Sequence, residues 1–543
     1  METSYLRGLS GRIVLPSDPS YNADRQGFNR AVQSFPLIIN YCRTPQDVAN
    51  AVLWARRSRV PVRIRGGGHN YEGYSSGDCV LVIDVSEMTG IELDEASGTV
   101  RVQGGVTNRQ LYEFLAARGY PFPGGTCPTV GVCGYALGGG WGLSCRAFGL
   151  GCDSVEEIEL VGSDGQVLTA NTGENSDLFW ALRGAGGGNF GVVTSVTFRL
   201  PPPVESVTLI EIDYLNISRE TQERFFLAWQ RWLREADARM TLLARVYNSE
   251  ADGLAALVRG LFYGGPEEAR AMLRGFLELP GAAHRIASMS FLEAVTIIGG
   301  AYPPFERFQS ASRFVFRDFG PRAVREIVSL IQERPAGSVF AGISLYALGG
   351  RVAEVGVDET AFFYRNARYI LWIESVFEDI RFAGASAHWV GRRYRLLEPL
   401  TKGAYVNFPY AGIPDFKREY YGDHAGRLAW IKRRYDPHDV FSFPQGLSRR
   451  QAQPAVRLAP RPGPQDAPAK QAAERANHRG FRYVAAQTRE AKELTEGVAV
   501  EIKQRAAACA GRRAARCGGD GRLLRAENCG QPSESVIKWH GLF

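Results

Sequence analysis

Short β-branched runs and short amphipathic stretches alternate over the first 200 residues, where the chain is also rich in glycine. Thr44-Pro45 caps and starts a helix that runs through Arg59. Val60–Ile64 then reads as a strand, as do Cys79–Val85 and Thr99–Gln103. Thr107–Arg118 has helical spacing and is closed by Gly119. Val155–Val161 and Gln166–Thr169 flank Asp164-Gly165, the pattern of a hairpin. Phe190–Phe198 is the last strand before Pro201-Pro202-Pro203, which marks a boundary.

Beyond that boundary the pattern changes. Longer helical stretches, Glu220–Ala236 and Pro266–Glu278, mix with strands such as Ser206–Ile212 and Tyr369–Ser375. This predicts a second α+β region over 204–400. Residues 401–448 are aromatic and polar, and include Tyr435-Asp436-Pro437 and Phe443-Pro444-Gln445. From 449 to 543 prolines give way to Ala/Arg-rich sequence without apolar periodicity. A disordered, solvated extension is expected there, the alternatives being a nucleic-acid-binding arm or a non-native reading frame.

Composition supports a globular protein, with 45% hydrophobic and 22% charged residues in 543. The net charge of +7 is misleading as a whole-chain figure. Residues 449–543 hold 18 Lys/Arg against 9 Asp/Glu, a net of +9, which leaves the first 448 residues at −2. The body therefore has no basic stripe, and nucleic acid is not an expected partner. No apolar run of spanning length exists, so no membrane helix is expected. The first 21 residues lack a basic start followed by an apolar core, so a cytoplasmic location is expected. The nine cysteines are odd in number, irregularly spaced and free of any Cys-x-x-Cys pair. That pattern predicts neither a disulfide framework nor a metal site.

Chemistry enters with two glycine-rich blocks. Arg65-Gly66-Gly67-Gly68-His69-Asn70 follows a predicted strand. Consecutive glycines free the backbone to turn its N–H groups toward an anion such as phosphate. No Lys-Ser/Thr follows, so this is not a triphosphate-binding loop. The second block runs from Gly124 to Gly142 and contains Cys127-Pro128-Thr129-Val130-Gly131 and Gly138-Gly139-Gly140-Trp141-Gly142. Gly186-x-Gly188-x-x-Gly191 matches a dinucleotide fingerprint, but the β-branched run Val192–Thr197 follows it where a helix is required.

Taken in order, these blocks resemble the berberine bridge enzyme-like family of the vanillyl-alcohol-oxidase superfamily. The resemblance continues through Asp177–Gly184, Gly187–Thr194, Tyr405-Val406-Asn407-Phe408, Tyr420-Tyr421-Gly422 and Tyr435-Asp436-Pro437, and covers roughly residues 30–448. It implies an α+β fold. A PCMH-type FAD-binding domain would occupy 1–203, a substrate domain 204–400, and 401–448 would return to the first. It implies FAD bonded through His69 to the flavin 8α carbon and through Cys127 to flavin C6. Gly66, Gly67 and Gly68 would cradle the pyrophosphate. Arg65, Asn70, Thr129, Val130, Gly131, Gly134, Tyr135, Gly138, Gly139, Gly140, Gly142, Asn189, Gly191, Val192, Tyr405 and Asn407 would complete the cofactor site. Valine at position 130 matches a gate that admits oxygen to the flavin.

The implied activity is an oxidase that removes hydride from a CH–OH group of a sugar, alcohol or secondary metabolite, with O2 as acceptor and hydrogen peroxide as product. Alternatives are oxidation of a CH–NH group and an inactive flavin-holding protein. Such chemistry needs a group to take the substrate proton. Tyr405 matches the family tyrosine at the flavin face. Glu374 lies two residues from Trp372 on a predicted strand, so both share a face. Three positions depart from the family pattern: Tyr135 and the Tyr364-Arg365 pair, where histidine is common, and Phe408, where tyrosine is common. They bear on the substrate side.

Overall fold

The computed structural model describes residues 4–448, so the expectation for 449–543 lies outside the described residues. Residues 4–9 hold one 3-10 turn, Ser4–Leu6; all that follows concerns residues 10–448. No helix among the described residues is long and apolar enough to cross a membrane.

Three sheets organise the chain. The first contains β1 (Arg12–Val14), β2 (Ile38–Tyr41), β3 (Val62–Arg65) and β4 (Leu81–Asp84) in the order β1-β2-β4-β3. β4 pairs in parallel with both β2 and β3, while β1 runs antiparallel to β2. The two parallel pairings require crossovers, and helix Pro45–Ser58 provides one of them. Its start was written locally. The Thr44 hydroxyl accepts from the Asp47 N–H, Asp47 answers by accepting from the Thr44 N–H, and Pro45 opens the first turn. It ends where Arg59 adopts a left-handed conformation, φ 53°.

The second sheet is antiparallel, with β5 (Ile91–Asp94), β6 (Thr99–Gln103), β7 (Val155–Val161), β8 (Val167–Asn171) and β9 (Val192–Arg199) in the order β5-β6-β9-β7-β8. The β7–β8 hairpin turns at Asp164-Gly165 as expected, with Gly165 at φ +81°. β9 directly follows Gly191, so the dinucleotide-like glycines are followed by a strand and not by a helix.

The third sheet has seven antiparallel strands. They are β10 (Val207–Tyr214), β11 (Met240–Ser249), β12 (Gly253–Phe262), β13 (Ala283–Met289), β14 (Phe308–Val315), β15 (Ser338–Ala347) and β16 (Tyr369–Phe377), in the order β13-β10-β12-β11-β15-β16-β14. Helix Arg219–Glu235 buries Phe225, Phe226, Trp229 and Trp232. The helix expected over Pro266–Glu278 is two, Pro266–Met272 and Arg274–Leu277, broken at a fully buried Leu273. Gly275 just after the break weakens helix propensity there.

One buried cation pins the last segment to the rest. Helix Ala425–Tyr435 carries Lys432, whose ammonium donates to Asn189 O, Phe441 O and Asp436 Oδ2, each at 2.6 Å. Asp436 in turn accepts from the Val440 and Phe441 N–H groups. Burial lowers the Lys432 pKa, and Asp436 opposes that. Lys432→Met should leave Asp436 charged, buried and unpaired, at a cost of ~3–5 kcal/mol. Urea denaturation measures this; an unchanged midpoint and slope would rule out a stabilising role for the pin.

Candidate functional site

The three sheets and the 405–445 segment surround one cavity of about 300 Å³. Its first wall is the loop after β3. Arg65 does not face the cavity. It turns inward to pair with the buried Asp84 carboxylate on β4, which anchors the loop's base. Gly66, Gly67, Gly68, His69 and Asn70 all line the cavity. A Cβ at Gly67 would stand 2.5 Å from the Gly131 nitrogen, and one at Gly131 would stand 2.9 Å from the Gly67 nitrogen. The two glycine-rich blocks thus meet backbone to backbone, a contact only glycine permits at both positions.

That contact brings His69 and Cys127 to one place. The His69 Nε2 lies 2.8 Å from the Thr129 hydroxyl, and the Cys127 sulfur lies 3.5 Å from the same oxygen. His69 is stacked on Phe28, ring centroids 4.3 Å apart. Its ring is enclosed by the cavity walls but keeps part of its surface open to the cavity, and desolvation there pushes its pKa down to about 4. The imidazole is therefore neutral near pH 7, with a nitrogen lone pair available. Burial pushes the Cys127 thiol up, against the pull of Thr129 and the Val130 N–H.

The structure separates the remaining expected cofactor residues into two groups. Val130, Gly131, Gly134, Tyr135, Asn189, Gly191, Tyr405 and Asn407 line the cavity. At Gly134 an added Cβ would meet nothing within 4 Å, so helix Val132–Leu137 shows bare backbone to the cavity. Gly138, Gly139, Gly140 and Gly142 do not line it, contrary to the expectation of close approach to a cofactor. Their Cβ positions are taken by Asn407, Phe362, Tyr135 and the Gly124 carbonyl, so these glycines are needed for close packing within the protein. Val192 is likewise a buried residue of β9, outside the lining. Thr129 is outside it too and acts on His69 and Cys127 by contact.

The positions that depart from the family pattern fall in different places. Arg365 is fully buried, with bonds to Asp153 (2.6 and 2.8 Å) and to Thr360. Tyr364 donates to the Glu419 carbonyl at 2.7 Å. Neither lines the cavity, so that substitution leaves the substrate side untouched. Tyr135 lines the cavity with its ring, while its hydroxyl is shared between the Pro123 and Gly140 carbonyls. Phe408 does face the cavity, within an aromatic group that includes Tyr71, Trp372 and Tyr346.

Tyr405 has an unusual setting. Its hydroxyl oxygen receives N–H bonds from Gly140 (2.9 Å), Trp141 (3.1 Å) and the Asn407 amide (3.1 Å). Burial raises its pKa well above the ordinary tyrosine value, while these three donors pull it back. The group is neutral at rest, yet its oxygen is prepared for negative charge.

The opposite wall is one face of the seven-stranded sheet. Register aligns Arg245 with Ser344, Ser344 with Trp372, and Trp372 with Ser312 across β11, β15, β16 and β14. Glu374, two residues along, opposes Gly342 and Ser310. Trp372 and Glu374 thus share the cavity face, as the period of two predicts. Arg245 donates to Ser344 Oγ at 2.7 Å and pairs with Glu374 at 3.1 Å. Burial pushes Glu374 up to about 7, with Arg245 opposing. Arg245 and Glu306 both line the cavity and were missed from sequence. Their signals were weak: one charge within the apolar run of β11, and one acid within Tyr302-Pro303-Pro304-Phe305-Glu306.

Comparison with known proteins assigns the class. Residues 36–171 match an FAD binding domain, and residues 404–448 match the family described as berberine and berberine like. The chain is 35% identical over 451 residues to the FAD-linked oxidoreductase YgaK of Bacillus subtilis, covering 81% of this chain and 97% of that one. The solved structure of Physcomitrella patens BBE-like 1 superposes with a TM-score of 0.76 at 27% identity, over 82% of this chain and 98% of the other. A carbohydrate oxidase from Microdochium nivale, solved with a substrate analogue, gives 0.72 at 25% identity, over 80% and 97%. Fold and site together define an FAD-linked oxidoreductase. The chain belongs to the berberine bridge enzyme-like family.

The site fits FAD on its own terms. Bare backbone at Gly134 leaves room for a cofactor, the 66–70 loop lines the same cavity, and two nucleophilic side chains stand there.

Proposed function

We propose that this protein is an oxidase that holds FAD through two covalent bonds, from His69 and Cys127, and oxidises a CH–OH group of a small molecule. The observation that carries the reading is the shared contact of both side chains with the Thr129 hydroxyl at the cavity. In this reading residues 1–203 and 401–448 hold the cofactor, and 204–400 supply the substrate wall. The lining residues from Arg245 to Glu374 support that division.

Bound FAD would supply a two-electron acceptor for the hydride. The substrate C–H breaks with its electron pair, the O–H proton goes to a protein base, and a carbonyl product forms. Glu374 is suited to be that base, because a pKa of about 7 leaves it partly ionised near neutrality and still able to hold a proton. Arg245 fixes its carboxylate in place. Tyr405 donates its O–H to the substrate oxygen, and the three N–H groups on its own oxygen stabilise charge that develops there. The aromatic group around Tyr71 and Trp372 excludes water and offers flat apolar surface.

The reading is tested by oxygen consumption over a panel of alcohols, sugars and amines. Consumption with alcohols or sugars supports it, consumption with amines alone shifts it to CH–NH oxidation, and none at all favours an inactive flavin-holding protein.

Oxygen as acceptor rests on Val130, which lines the cavity three residues after Cys127. One extra methylene in a close-packed site fills space a diatomic molecule needs. Val130→Leu should slow reoxidation of the reduced enzyme about tenfold or more, the equivalent of ~1.4 kcal/mol. Stopped-flow absorbance after mixing with aerated buffer measures it; slow reoxidation already in the wild type would assign another acceptor.

A further inference from the structure

We propose that Glu306 is a second substrate-binding carboxyl, held protonated in the same cavity as the ion-paired Glu374, so that the site takes an uncharged substrate with a second oxygen and not an ammonium. The inference rests on the oxidase reading and deepens it by naming the charge state of the substrate.

Glu306 is placed by its backbone. Its N–H donates to the Phe28 carbonyl at 3.1 Å, and its carbonyl accepts from the Arg30 N–H at 2.6 Å. Two residues on, Phe308 enters β14. A clamped backbone thus presents the side chain to the cavity. Among the described residues the carboxyl has no hydrogen bond and no ion pair.

The charges nearby decide its protonation. Arg245, on β11, pairs with Glu374 and donates to Ser344. Glu374, on β16, brings a like charge toward Glu306. The other titratable groups in this wall are uncharged near pH 7: Tyr302 on its own segment, Tyr346 on β15, Tyr71 on the loop after β3, and the Cys127 thiol. Glu306 is half-buried and opens only onto the cavity, and a carboxylate with protein packed around it and no cation or donor of its own favours keeping its proton. Burial first, and the charge of Glu374 second, raise Glu306 well above the ordinary carboxyl value, with Arg245 opposing, and of the two acids only Glu374 holds the direct ion pair to Arg245. Similar chemical groups thereby divide into two roles through environment. Glu374 and Arg245 cancel, Glu306 is neutral, and a cationic substrate gains no net attraction. A neutral substrate gains two hydrogen bonds, giving its hydroxyl proton to Glu374 and receiving the Glu306 O–H on a second oxygen.

Two measurements on the flavin-loaded, full-length protein test this. Infrared spectroscopy should show the carbonyl stretch of a protonated carboxyl at pH 7. The band should disappear as pH rises above neutrality, and in Glu306→Gln at pH 7 it should shrink to the part that titrates with Glu374. Binding of benzyl alcohol and of benzylamine, probes of equal size, is followed through the flavin absorbance. At pH 7 the alcohol should bind more tightly than the amine. Glu306→Gln, which keeps a donor, should preserve that order, and Glu306→Ala should weaken the alcohol by about tenfold, one net hydrogen bond. A wild-type band left undiminished in Glu306→Gln overturns the proposal. So does an amine preference at pH 7 that Glu306→Gln abolishes. The infrared result does not depend on turnover. An enzyme that shows the Glu306 band but oxidises no alcohol or sugar therefore overturns the oxidase reading alone.

Discussion

Glu374→Gln is expected to lower the rate of flavin reduction by ~10²–10⁴-fold, the usual contribution of a general base, without changing flavin content. The amide keeps the size of the side chain and a polar atom for Arg245, so loss of rate reports loss of the base. The pH profile makes the test specific. Burial places the Glu374 carboxyl at about 7, so the wild-type rate should rise as pH passes upward through that value, where the group loses its proton. The glutamine variant should lack this rise. Tyr405→Phe is expected to fall in the same range, because it removes both the O–H donor and the oxygen that three N–H groups surround. It should keep the rise near 7, since Glu374 is intact. Anaerobic stopped-flow reduction measures both variants. Undiminished reduction in both would exclude the pair and direct attention to other groups on the sheet face.

The second large effect concerns the cofactor bonds. Acid-denatured wild-type protein should stay yellow, His69→Ala should remain bonded through Cys127, and Cys127→Ala through His69. The double variant alone should release all its FAD. The pKa directions add a kinetic signature. His69, at about 4, is neutral across the working range, so attachment through it in Cys127→Ala should vary little with pH above about 5. The Cys127 thiol is raised by burial, and only a thiolate attacks. Attachment in His69→Ala should therefore quicken by about tenfold per pH unit until the thiol titrates. Absorbance of the precipitated protein after adding FAD to apoprotein follows both reactions. A wild type that loses its colour on denaturation would refute covalent attachment.

Much of the chain was legible because it is written in neighbouring residues. Thr44-Pro45-Gln46-Asp47 carries a complete helix start, and Asp164-Gly165 a hairpin turn, so β3, β4 and β6 to β9 could be anticipated, while the short strands β1, β2 and β5 were not. The ordered glycine motifs around His69 and Cys127 carried the family, and the alternation of β16 put Trp372 and Glu374 on one face. The glycines at 138–142 were legible as a motif but not in their purpose, because the neighbours of Gly138 and Gly139, Asn407 and Phe362, lie more than 200 residues away. Distance along the chain also hid the Tyr364-Arg365 pair, whose partners Glu419, 55 residues away, and Asp153, 212 away, make it a structural anchor.

Local propensity, capping and spacing are properties of residues within a few positions of one another, and by these the sequence alone determined many of the elements, the family and the two residues beside the cavity. The substrate wall is a property of register. Arg245 meets Glu374 because β11 and β16 both pair with β15, and among the described residues the Glu306 carboxyl has no ion pair. The charge on each carboxyl depends on burial and on partners distant in the chain. Only the tertiary structure could bring both acids to one cavity and pair just one of them with a cation.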